Sequence, residues 1–214
     1  MKKNLTELVF ILDCSGSMHG LEKDTIGGFN SMLQKQRALE GEAYVSTVLF
    51  SNSHRFLHDR LPIRSVEDIG EREYSVGGCT ALLDAVGSTV KHVAGIHKYA
   101  RSEDVPEHTM FVIITDGMEN ASKHYSADEV RRLIEHEKTK YGWEFIFLGA
   151  NMDAVSTASR YGISEDRAVE YCCDAQGTAL NYHAVSAAVE HVRGGRKLSR
   201  EWKAAIERDH KSRG

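Results

Sequence analysis

Three runs constrain this chain more than anything else in it: Leu8-Val9-Phe10-Ile11-Leu12, Phe111-Val112-Ile113-Ile114 and Phe145-Ile146-Phe147-Leu148 are apolar without interruption. A strand with one wet face alternates apolar and polar residues, so an unbroken run marks a strand covered on both faces. Each run falls far short of the roughly 20 residues that cross a bilayer. Sheets covered on both faces are mostly parallel, and parallel neighbours need helical crossovers between them.

The intervening sequence supplies those crossovers. Leu21, Thr25, Phe29, Met32, Leu33 and Leu39 lie near helical spacing, as do Leu82, Leu83, Val86, Val90, Val93 and His97. Ser126 followed by Glu129 forms a capping box that opens a third helix, and two more are predicted over 152–160 and 178–191. Strands are predicted over 5–12, 43–51, 54–61, 109–115, 143–149 and 168–172. Residues 43–61 break the alternation, because a link of a few residues around Asn52 permits an antiparallel hairpin but no crossover. The expectation is therefore an α/β fold with a mainly parallel sheet and an antiparallel edge. Residues 1–192 are read as one domain, followed over 193–214 by a basic C-terminal helix or tail.

Composition narrows the function classes. With 41% hydrophobic and 27% charged residues the chain has the means to bury a core. A formal net charge of -4 supplies no overall positive field for nucleic acid or anionic lipid, so neither is expected as a partner. The start, MKKNLTELVFIL, imitates a signal peptide, but Glu7 interrupts its apolar run and no small-residue cleavage pattern follows. Of four cysteines, Cys172 and Cys173 are neighbours and Cys14 and Cys79 sit in separate turns, so no disulfide framework emerges. A cytoplasmic protein with reduced thiols is expected.

Parallel α/β sheets bind ligands beyond the carboxyl ends of their strands. Three such ends carry small oxygen-bearing side chains: Asp13-Cys14-Ser15-Gly16-Ser17, Gly77-Gly78-Cys79-Thr80, and Thr115-Asp116-Gly117. Alone, each reads as a turn. Together they offer two carboxylates and three hydroxyls, a donor set suited to a hard divalent cation such as magnesium, with manganese or calcium as substitutes. Neither imidazole nor thiolate is placed to favour zinc or copper.

Asp13-x-Ser15-x-Ser17, then Thr80, then Thr115-Asp116-Gly117, resembles the metal-ion-dependent adhesion site (MIDAS) of von Willebrand factor type A (VWA) domains, with all five positions filled in the family's order. The resemblance implies a three-layer, doubly wound, six-stranded Rossmann-like sheet with one antiparallel edge strand. It implies that Ser15, Ser17 and Thr80 bind the ion through their hydroxyls, and that Asp13 and Asp116 bind through water or directly. It further implies that an Asp or Glu of a protein partner completes the shell. More narrowly, Gly149-Ala150-Asn151-Met152-Asp153-Ala154 is similar to a stretch of stand-alone intracellular bacterial and phage members. That likeness suggests an adaptor serving an ATPase or a stress-response complex.

An enzyme is not expected. A nucleophile elbow would need glycine at Asp13, a haloacid-dehalogenase-like phosphatase a second acid at Ser15, and no phosphate loop is present. Two alternatives remain: a metal-dependent hydrolase using the same five residues, and a subunit whose metal is mainly structural. Asp84, one turn into its helix, is read as complementing the helix dipole, and Glu119 and Asn120 as either site rim or loop. His54 and His58 would lie about 13 Å apart on a strand, too far to share an ion. Trp202, among basic residues, is read as the aromatic by which a solvated helix docks.

Overall fold

The structure, a computed structural model, describes residues 1–213. Six strands form one sheet: β1 (Lys2–Asp13), β2 (Glu42–Phe50), β3 (His54–Pro62), β4 (Pro106–Thr115), β5 (Glu144–Gly149) and β6 (Ala168–Glu170). Their order is β3-β2-β1-β4-β5-β6. All neighbours are parallel except β2 and β3, the hairpin whose three-residue link forbids a crossover. The helices are α1 (Glu22–Arg37), α2 (Leu82–Tyr99), α3 (Ala127–Tyr141), α4 (Ala154–Arg160), α5 (Ala175–Arg193) and α6 (Ala204–Arg213).

The period-two geometry of β1 sorts the core. Leu8, Phe10 and Leu12 join one cluster with Phe29 and Met32 of α1 and Val185 and Val189 of α5. Val9 and Ile11 point to the opposite face and join Val86 and Val90 of α2, Ile134 of α3 and Ala158 of α4. Helices thus cover both faces, as the unbroken apolar runs require. The capping box forms as predicted: Ser126 accepts from the Glu129 amide and the Glu129 carboxylate accepts from the Ser126 amide.

Strand ends differ from expectation by a few residues. β1 begins at Lys2, helped by a bridge from Lys2 to Glu42 on the neighbouring strand, and β6 stops at Glu170 instead of 172. After α5 the chain turns back over the sheet edge, and Leu198, Trp202 and Ile206 enter the core that holds Leu8 and Phe10. Trp202 is docked, its indole N–H donating to the Asp166 carbonyl. Gly214, the end of the predicted tail, lies outside the described residues.

Candidate metal centre

Chain progression from β1 runs outward through β2 and β3, while β4 starts again on the other side of β1 and runs outward through β5 and β6. The crevice between the carboxyl ends of β1 and β4 is therefore the switch point of the sheet. Asp13 ends β1 and Asp116 follows β4, so register alone, with Leu12 opposite Ile114, brings the two acids to one place.

Hydrogen bonds join four of the five predicted residues. Asp13 Oδ1 accepts from the Ser15 amide at 2.7 Å, and its Oδ2 from the Thr115 hydroxyl at 2.6 Å. Ser15 Oγ lies 3.0 Å from Ser17 Oγ, and Ser17 Oγ donates in turn to Asp116 Oδ1. Thr80 reaches the same point: a Cβ built on Gly117 would stand 3.0 Å from Thr80 Oγ1 and 3.2 Å from Ser17 Oγ. The structure brings all five together.

The loops that carry them are tied to one another. Gly16 N–H donates to the Gly78 carbonyl and Gly77 N–H to the Cys14 carbonyl, both at 2.9 Å. Gly78 has φ +85°, and a side chain there would meet the Asn52 amide, whose oxygen holds the Cys79 amide. Thr80 is locked on both sides of its peptide, its amide donating to Asn120 Oδ1 and its carbonyl accepting from the Asn120 amide. Glu119 accepts from the amides of Leu83, Ala121 and Ser122. The two residues left between rim and loop in the sequence thus fix the loop that carries Thr80. Asp84 accepts from the amides of Lys123, His124 and Tyr125, a set of bonds that spacing alone did not disclose.

The electrostatics are unusual for a plain turn. Asp13 and Asp116 are each only 1% exposed. Neither has a Lys, Arg or His partner among the described residues. Burial pushes the Asp13 carboxyl above its ordinary range; bonds from Ser15 and Thr115 oppose this, and the Asp116 charge adds to it. Buried charges are paired or coordinate a metal. Among the described residues no three His, Cys, Asp or Glu side chains form a metal cluster, so any cation here must be held by the mixed carboxylate and hydroxyl set. Such oxygen donors fit a hard divalent ion, which would supply the missing positive charge.

Two contacts were not foreseen. Cys173 Sγ donates to Asp116 Oδ2 at 3.4 Å, and Asn151 Nδ2 donates to the Asp116 carbonyl at 3.3 Å. Burial and the Asp116 charge push the Cys173 thiol up to about 12, so it is a protonated donor. The sequence signal was their position, just past the ends of β5 and β6 at the same edge of the sheet. All four cysteines are free. Cys14 Sγ turns away from the acids to the Phe50 carbonyl, and Cys79 is exposed.

No protein-family model matches the chain, and no curated protein matches it in sequence. Solved structures do match. A von Willebrand factor type A protein from Catenulispora acidiphila superposes with a TM-score of 0.57 at 17% identity, over 86% of this chain and 42% of that one. The ArnB paralog VWA2 from Sulfolobus acidocaldarius gives 0.54 at 18% identity, over 88% of this chain and 45% of that one. Proximal thread matrix protein 1 from the mussel byssus, with a zinc-occupied MIDAS motif, gives 0.56 at 15% identity, over 85% and 44%. The chain thus spans less than half the length of these three structures. At such identities the likeness is one of fold: the mixed six-stranded sheet is that of VWA domains.

Proposed function

We propose that this chain is a metal-dependent interaction domain with an intact MIDAS. Asp13, Ser15, Ser17, Thr80 and Asp116 hold a divalent cation, and a protein partner supplies an Asp or Glu to complete its shell. The observation that carries this reading is the pair of buried acids, Asp116 accepting from Ser17 and Asp13 from Thr115, with no protein cation to balance them. Magnesium is the preferred ion, because carboxylates and hydroxyls leave room for water and a monodentate oxygen in an octahedral shell. Manganese and calcium are substitutes. The zinc-occupied motif of the mussel protein supports a divalent ion without naming this one.

Binding is favoured over turnover by what surrounds the five donors. Among the described residues none of them is hydrogen-bonded to a histidine or lysine that could act as a general base. No helix of the described chain is long and apolar enough to cross a membrane. A cytoplasmic setting, a stand-alone adaptor role and an ATPase or stress-response partner belong to this proposal.

The test is a titration of the protein with magnesium or manganese, followed by capture of an immobilised acidic peptide. Wild type should bind both, and Ser15→Ala and Asp116→Ala should lose both while keeping the wild-type fold by circular dichroism. Metal-dependent phosphoester turnover lost in Asp13→Ala would favour the hydrolase instead. Metal that raises the melting temperature without affecting capture would favour a structural ion.

A further inference from the structure

The two oxygens of Asp116 face different partners. Oδ1 accepts from Ser17, inside the donor cluster, while Oδ2 accepts from Cys173 Sγ, outside it. Asp13 is divided in the same way, with Oδ1 on the Ser15 amide and Oδ2 on Thr115. A carboxylate with one oxygen already bonded is poorly placed to chelate through both. Calcium takes six to eight oxygens and readily uses bidentate carboxylates, whereas magnesium demands a near-octahedral shell in which each carboxylate gives one oxygen.

The thiol is itself held in place. Asp174, the next residue, accepts from the Gly177 amide at 2.8 Å and caps α5. Asp174 also pairs with Arg213 of α6, which is braced by Asp209. On the preceding side, the Tyr171 amide donates to the Gly149 carbonyl at the end of β5. Gly177 admits the loop at all: a Cβ there would stand 1.9 Å from the Cys172 carbonyl oxygen. Asn151, at φ +55°, fixes the Asp116 backbone from the β5 side. Groups that orient a ligand from behind act in this manner, by restricting which of its lone pairs reaches the ion.

We propose that Cys173 is a positioning residue for Asp116, keeping that carboxylate monodentate and so biasing the site towards a small octahedral cation over calcium. This rests on the metal reading above, and the experiment separates the two. Manganese and calcium affinities are measured by calorimetry on the full chain for wild type, Cys173→Ser, Cys173→Ala and Cys173→Val. Serine keeps a donor; alanine and valine remove it, alanine with slightly less volume than cysteine and valine with about one methyl group more.

Loss of such an outer-shell partner lowers metal affinity by about 10- to 100-fold. Alanine and valine should therefore lose at least about tenfold for manganese, with calcium unchanged or tighter, so that the affinity ratio narrows by at least that factor. Serine should retain the wild-type ratio. A merely structural role would weaken both ions by the same factor. Equal losses, or no change in either variant, in a protein whose wild type binds manganese would overturn the role of Cys173 alone. Wild type that binds neither ion would overturn the metal reading, and this inference with it.

Discussion

Glu7, the acid that interrupts the apolar start of the chain, is fully buried in β1 and supports the sharpest test of the energetics. Arg60 Nε bonds its two oxygens at 2.8 and 3.0 Å, and His97 Nε2 lies 2.8 Å from Oε2. The partners are less buried than the acid: the Arg60 side chain is 19% exposed and stacks 4.9 Å over Tyr44, and the His97 side chain is 10% exposed. Removing one partner of a buried ion pair costs about 3 to 5 kcal/mol, because the other charge is left without compensation. His97 remains beside Glu7 in Arg60→Ala, so the lower end, about 3 kcal/mol, is expected. Glu7→Leu removes the buried charge itself, while Arg60 and His97 keep access to water. Removal of one partner is costly when the charge left behind stays buried; here the charges left behind can reach water and His97 can shed its proton, so about 1 kcal/mol or less is expected. Urea unfolding of the two variants, with unchanged denaturant slope, measures the difference. If Glu7→Leu costs as much as Arg60→Ala, desolvation is not the governing term and this reasoning fails. Asp13 lies six residues further along β1, about 20 Å away, so neither variant should alter metal affinity.

Three further outcomes are expected. Burial works against ionised Asp84, but its bonds from the amides of Lys123, His124 and Tyr125 outweigh it and hold its pKa below the usual value. Stability from a depressed acid is present above its unfolded pKa and lost as pH falls through the folded one. Asp84→Ala should therefore cost about 2 to 3 kcal/mol near neutrality, with the gap to wild type closing below about pH 4 in urea titrations. Asp13 has the opposite sign: its raised pKa makes the metal-free fold gain stability as pH falls from neutral towards about 4. Magnesium at 100 times its Kd should add about 2.7 kcal/mol near neutrality and progressively less on acidification, as followed by thermal melts; a gain that grows on acidification would refute this. Lys203, 1% exposed, donates its ammonium to the carbonyls of Glu165 and Ala168 and pairs with Glu207. Lys203→Met strands two carbonyls beside the β6 edge and should cost about 2 to 4 kcal/mol by urea unfolding.

The fold was legible because burial on both faces of a strand leaves a direct mark on sequence. Phe111 to Ile114 and Phe145 to Leu148 could only be central, and the short link at Asn52 could only be a hairpin. The convergence of Asp13, Ser15, Ser17, Thr80 and Asp116 was legible because small oxygen-bearing residues cluster at the ends of neighbouring strands. Asp84 and Glu119 were harder, since they act on backbone amides some 40 residues away, and such bonds carry no side-chain signature. Cys173 was read only as half of an adjacent pair, because its use depends on β6 lying two strands from β4, a fact of topology rather than of local spacing. Lys203 is one of the basic residues around Trp202 that read as solvated, yet it is buried, its ammonium donating to carbonyls that edge strand β6 and the turn before it leave open.

These last residues bear on how a six-stranded sheet stabilises a site at its centre. Asp13, Thr80 and Asp116 come from loops near the middle of the sheet, where β1 and β4 are long and covered on both faces. β6 is three residues long and would by itself hold the Cys172–Asp174 loop weakly. The segment after α5 offsets this from two directions: Trp202 and Lys203 fasten the chain before and within β6, and Arg213 fastens Asp174 after it. The loop touching Asp116 is therefore anchored by residues 30 to 40 positions later in the chain, through ammonium and guanidinium groups on a tail read from the sequence as docking by its one aromatic. A basic C-terminal segment can thus act on a buried acidic site without approaching it, by fixing the strand end that carries the acid's outer partner.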